Sequence, residues 1–167
     1  MLEVKVGGLV QDKTNGALWI VLLQEKDGKK VLPIWIGSFE ANAIAMELSN
    51  QTPPRPMTHD LIKGLVEALQ VQLSYILIND IKDNTYFATL SLMQNEREIT
   101  VDARPSDSIA IALRFKAPIF VSEKVMEQAS IKFFESGESK KEEIESSEWI
   151  DDMLDEIQTK YFEDKDS

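Results

Sequence analysis

Two carboxylates, a guanidinium and two hydroxyls are crowded into the stretch Asp102-Ala103-Arg104-Pro105-Ser106-Asp107-Ser108-Ile109-Ala110. Such groups can steady the charge of a reacting phosphate or hold the cation that does so. The residues before the stretch, Arg97 to Val101, alternate and include β-branched side chains, which predicts a strand. Pro105 suits the first turn of a helix, and Ile109 to Arg114 is apolar at helical spacing. The segment therefore reads as strand, tight turn and helix start, with unpaired helix N–H groups that attract anions. A plainer reading stands beside it. Ser106 or Asp107 caps the helix, worth about 1 kcal/mol, and Arg104 pairs with Asp102.

Similar polar groups recur at two other helix starts. Ser38 is expected to cap a helix over Phe39 to about Leu48, with Glu40 in its first turn, where the helix dipole alone favours an acid. Gln51 to Pro56 holds three prolines in four residues, a stiff connection that fixes the backbone of Arg55. Thr58 is expected to cap the next helix, His59 to about Leu69. His59 is the only histidine in the chain. Asp60 beside it also suits the dipole. Metal-assisted phosphodiester hydrolysis needs two or three carboxylates around a divalent cation and a positive group at the phosphate. This inventory could meet that need if the three helix starts converge. Phosphate-loop, dinucleotide-binding, zinc-protease and nucleophile-elbow signatures are all missing.

The elements that must position these groups follow from hydropathy. Strands are expected at Leu2–Val6, Ala17–Leu23, Val31–Ile36, Val71–Ile78, Thr85–Met93, Arg97–Val101 and Ile119–Val121. Gly7-Gly8 suggests a bulge, Asp27-Gly28 a hairpin turn, Asn79 to Asn84 a polar turn, and Pro33 an edge or bulged strand. Phe39, Ala43 and Met46, with Ala45 and Leu48 as further candidates, are expected to face the core from the first helix, and the small Ala41, Ala43 and Ala45 to let another element come close. Leu61, Leu65 and Leu69 form the expected apolar stripe of the second, with Ile62 and Val66 beside them. Ser122 is expected to cap a brief helix through Ala129. The fold class expected is α+β: a largely antiparallel, twisted or barrel-like sheet with packed short helices, plus a C-terminal amphipathic helix.

At 167 residues the chain is one ordinary domain with an appendage, and 43% apolar content can build a core. The absence of cysteine removes disulfides, Cys-ligated zinc and thiol nucleophiles. The N-terminus lacks a signal-peptide pattern and the apolar runs are too short to span a bilayer, so a cytoplasmic protein without a membrane partner is expected. Residues 1–130 carry 13 basic and 16 acidic side chains, whereas residues 131–167 carry 5 and 13. A broad basic surface for nucleic acid is thus absent. The division expected is a body over 1–130, an acidic linker over 131–145 and an acidic amphipathic helix and tail over 146–167. In the last, Trp149, Ile150, Met153, Leu154, Ile157 and Tyr161 recur at helical spacing.

Four blocks together closely resemble the bifunctional nuclease domain family. They are Leu32-Pro33-Ile34-Trp35-Ile36-Gly37 with Glu40-Ala41; Pro54-Arg55-Pro56-Met57-Thr58-His59-Asp60-Leu61; Tyr86-Phe87-Ala88-Thr89-Leu90; and Asp102 to Ala110. The resemblance covers about residues 1–130 and implies an α+β fold, action on DNA and RNA, and self-association. The tail lacks the Arg-Asp ending of the UVR-type motif that follows this domain in some members. On this footing Glu40, Asp102 and Asp107 are expected to hold magnesium or manganese, with Asp60 an alternative to Glu40. His59, Asp60 and Asp107 are expected to be catalytic, with His59 the general base or acid. Arg55, Arg104 and Ser106 are expected to contact the phosphate. The competing expectation is a non-catalytic interaction or regulatory module, in which the same residues only build caps and turns.

Overall fold

The computed structural model describes residues 1–132, together with Asp155; the expected linker beyond Lys132 and the expected C-terminal helix lie outside the described residues. Eight strands and four helices follow in the order β1 (Leu2–Gln11), β2 (Leu18–Glu25), β3 (Lys30–Gly37), α1 (Ser38–Leu48), α2 (Thr58–Ala68), β4 (Gln72–Lys82), β5 (Thr85–Gln94), β6 (Arg97–Ala103), α3 (Pro105–Phe115), β7 (Ile119–Val121), α4 (Glu123–Ala129) and β8 (Ile131–Lys132). All strands join one sheet in the order β6-β5-β4-β7-β1-β2-β3-β8. The sheet is open, with β6 and β8 at its ends. Every pairing is antiparallel except β4 with β7. The α+β expectation holds. Among the described residues no helix is long and apolar enough to cross a membrane.

Turn chemistry explains the hairpins. Gly28 takes a positive φ of 76° in the β2–β3 turn. Asp83-Asn84 and Asn95-Glu96 also take positive φ, as two-residue hairpins require. The turn after β4 is therefore only Asp83-Asn84, and the strand runs further than the polar residues 79–82 suggested. The register shifts between Val6 and Gly8, as the paired glycines implied. β8 pairs only with Lys30 and Val31, so Pro33 lies on an uncovered stretch of β3 that asks for no donated hydrogen bond.

The core lies between one face of the sheet and α3. Ile76, Ile78 and Ala88 from the strands meet Ile109, Ala110 and Ala112 from α3, all fully buried. α1 and α2 pack against α3 and brace it. Two expected faces differ from the structure. Phe39 is 89% exposed, while α1 buries the expected Ala43 together with Ala41 and Ile44. Leu61, Leu65 and Leu69 are more than half exposed, and α2 reaches the core mainly through Ile62. The helical period was right in both cases. On α1 the small Ala41 and Ala43 let α3 approach closely, as their size implied, and leave Phe39 outside; on α2 the side that docks was misjudged.

Candidate active site

The three helix starts do converge. α1 begins at Ser38 with Gly37 as its N-cap, not Ser38, and no side chain caps it. The missing side chain of Gly37 leaves room for the Glu40 carboxylate: a Cβ would stand 2.5 Å from its Oε2 and push it aside. Glu40 is thereby folded back over the strand end, where its Oε1 lies 3.0 Å from Nη1 of Arg104. Arg104 is the N-cap of α3, with Pro105 as the first helical residue. Its Nε donates to Oδ2 of Asp107 at 2.8 Å. The other oxygen of Asp107 lies 2.9 Å from Nε2 of His59 in the first turn of α2. Glu40, Arg104, Asp107 and His59 thus form one continuous chain of polar contacts across α1, α3 and α2.

The exposure of this chain is graded. The His59 side chain is 12% exposed and Asp107 26%, while Arg104 is 66% exposed. Burial alone would raise the Asp107 pKa. Hydrogen bonds from Arg104 and His59, and their charges, outweigh it and hold the carboxyl below its ordinary value. Arg104 is pushed up by its bond to Asp107, with Glu40 adding to this. Both groups keep their charge at neutral pH. The pattern is a histidine oriented by a carboxylate, with a mostly exposed guanidinium beside it.

Asp60 is drawn into a different task. Its Oδ2 accepts the Met57 N–H at 2.8 Å, which caps α2 from the third position; Met57, not Thr58, is the N-cap. Its Oδ1 accepts from Nε of Arg114 at 2.7 Å. Arg114 is 3% exposed and also donates to the carbonyls of Ala43 at 3.2 Å and Ala110 at 2.8 Å. Its Nε lies 3.9 Å from Glu47. This buried cation fastens α1, α2 and α3 together behind the His59–Asp107 pair. It was passed over in the sequence, although an arginine inside the apolar run Ile109 to Phe115 was the signal.

The remaining expected residues lie outside this chain of contacts. Asp102 is paired with Thr89 on β6, one residue before Ala103, whose partner is the fully buried Ala88. Strand alternation turns Asp102 to the face opposite Ala103, and Asp102 makes no contact in the polar chain. Ser106 is only 7% exposed in the first turn of α3. Arg55 is exposed in the connection between α1 and α2, outside the polar chain. The expected metal ligands do not fit an ion as they stand. The Arg104 guanidinium joins Glu40 to Asp107, and Asp102 makes no contact with them. Among the described residues no three His, Cys, Asp or Glu side chains cluster as a metal cage.

A family model described as Bifunctional nuclease domain matches residues 21–134, a span that contains all of these groups. An uncharacterized protein of Mycobacterium tuberculosis is 47% identical over 132 residues, covering 78% of this chain and 77% of that protein. Bifunctional nuclease 1 of Oryza sativa subsp. japonica is 31% identical over 109 residues, which are 64% of this chain and 33% of that protein. Bifunctional nuclease 1 of Arabidopsis thaliana is 29% identical over 121 residues, 71% of this chain and 37% of its own length.

Proposed function

The chain belongs to the bifunctional nuclease domain family, and from that premise we propose that it hydrolyses phosphodiester bonds in single-stranded DNA or RNA. The observation that carries this reading is the Glu40–Arg104–Asp107–His59 chain. In the tautomer that donates its Nε2–H to Asp107, His59 has its Nδ1 lone pair free to take a proton from the water that attacks phosphorus and to return it to the sugar oxygen that leaves as its P–O bond breaks. Asp107 then steadies the imidazolium, as a carboxylate does behind other catalytic histidines. Arg104 offers its exposed guanidinium to the phosphate, and Glu40 sets its direction. Phe39, 89% exposed in the same turn as Glu40, gives an unstacked base a flat face to lie on. No step is assigned to a divalent ion here, because the carboxylates are already joined through Arg104.

The non-catalytic alternative draws on one observation: each of Glu40, Asp60 and Asp107 already has a cationic partner. Cleavage of labelled single-stranded oligonucleotides separates the readings. The nuclease reading predicts activity, measured with magnesium, with manganese and with chelator, that His59→Ala and Asp107→Ala both abolish. Intact substrate under every condition, or activity that survives both substitutions, supports the alternative.

A further inference from the structure

The Arg104 guanidinium carries one carboxylate more than its orientation requires. Asp107 already fixes it, accepting from its Nε at 2.8 Å. Glu40 adds a second negative charge, with Oε1 3.0 Å from Nη1. The Glu40 side chain is mostly buried beside the exposed guanidinium, in the room that Gly37 leaves for it. The groups behind do not offset this surplus. Arg114 lies 2.7 Å from Asp60 and 3.9 Å from Glu47. Across these contacts Glu40, Glu47, Asp60 and Asp107 bring negative charge to Arg104 and Arg114 alone. His59 is uncharged in the form that takes a proton.

Surplus negative charge weakens the hold on any phosphate, and weakens it more as the phosphate's own charge rises. Two phosphates of different charge meet this site. A phosphodiester carries one negative charge. Hydrolysis forms a P–O bond to the water oxygen and breaks the P–O bond to a sugar, so one strand end becomes an alcohol and the other a phosphomonoester. The monoester carries about −1.5 to −2 at pH 7. An arginine flanked by one balancing carboxylate would hold that product more tightly than the substrate.

We propose that the Glu40 carboxylate makes the site selective for internal phosphodiesters by repelling terminal phosphomonoesters, including the end that hydrolysis creates. This rests on the nuclease reading and assigns its substrate class. A full added charge about 5 Å from Glu40 lowers affinity about 4-fold even at the dielectric of water, and by more where protein replaces water. Asp107 contributes a similar repulsion, but it also holds His59, so Glu40 is the residue at which charge selection can be removed alone.

Binding tests this without any cleavage. The full chain is titrated at pH 8 with methyl phosphate and with dimethyl phosphate, followed by the Nε–H resonance of Arg104. Glu40→Gln keeps an oxygen for Nη1 and loses the charge. It should raise the affinity for methyl phosphate at least about 4-fold more than that for dimethyl phosphate. Gly37→Ala drives the same carboxylate aside and should shift the preference in the same direction. Circular dichroism melts check that both variants fold. A carboxylate that only aims Arg104 predicts the same ratio of affinities in the wild type and in Glu40→Gln, and that result overturns the proposal while leaving the phosphate contact in place. If neither ligand moves the Arg104 resonance in any of the three proteins, the guanidinium takes no phosphate, and the phosphate contact of the nuclease reading falls together with the proposal.

Discussion

Replacing Asp60 by alanine should cost stability before it costs chemistry. Arg114 is the one buried cation among the described residues, and Asp60 is its nearest carboxylate at 2.7 Å. Breaking a buried ion pair by removing one partner costs about 3–5 kcal/mol, and losing a helix cap about 1 kcal/mol more. Asp60 is 23% exposed, and Arg114 keeps two carbonyl acceptors and the more distant Glu47. The lower end therefore applies, about 3–4 kcal/mol in total. With a urea slope of about 1–3 kcal/mol/M, the unfolding midpoint should fall by roughly 1–4 M. The assay is a urea titration followed by circular dichroism, with cleavage measured per folded molecule at low denaturant. Arg114→Met, which removes the buried charge and leaves Asp60 to cap α2, should cost less than Asp60→Ala. A stability change below about 0.5 kcal/mol for Asp60→Ala, combined with lost cleavage, would refute the structural assignment and return Asp60 to the chemistry.

Three further outcomes are expected. For Asp12, Asp60 and Asp107 burial acts to raise the pKa, and hydrogen bonds outweigh it, so all three lie below the ordinary value of 3.8 when folded. Unfolding therefore takes up protons in acid. Thermal melts should be flat above about pH 5 and should fall as pH drops through and below the ordinary carboxylate range, less steeply in Asp107→Asn. Asp12, 7% exposed, accepts from Thr14, Asn15 and the Trp35 indole at 3.0 Å. Asp12→Ala strands that indole N–H and should cost about 1–3 kcal/mol in a urea melt, with cleavage per folded molecule unchanged. Phe39→Ala should weaken binding of a single-stranded oligonucleotide by roughly 5- to 100-fold in fluorescence anisotropy while Phe39→Trp retains it; equal binding by all three proteins removes the stacking role.

The strands, the hairpin turns and the α+β class were legible because alternation, β-branching and Asp-Gly or Asn-rich turns act locally. The helix starts were legible to within a residue. Which side of a helix docks was not, because it depends on what it meets. Ala41 and Ala43 draw α1 onto α3, and Phe39 is left outside. The leucine stripe on α2 stays at the surface while Ile62 beside it docks, and a sequence carries no sign of which of two adjacent apolar faces meets the core. In the site, Glu40, His59, Arg104 and Asp107 could be selected by type and position at helix starts. Their division of labour could not. Asp102 differs from its neighbours only by strand parity, which the register with Thr89 and Ala88 decides. Asp60 adjoins His59 in sequence, yet it serves Arg114, fifty-four residues away.

The central claim is that His59 moves the proton in phosphodiester cleavage while Asp107 holds it. His59→Gln tests this most directly, since glutamine can still donate to Asp107 but cannot shuttle a proton. Under single-turnover conditions with a labelled single-stranded oligonucleotide, the rate should fall at least about 100-fold with the urea midpoint nearly unchanged. A His59→Gln protein that cleaves as fast as the wild type contradicts the claim.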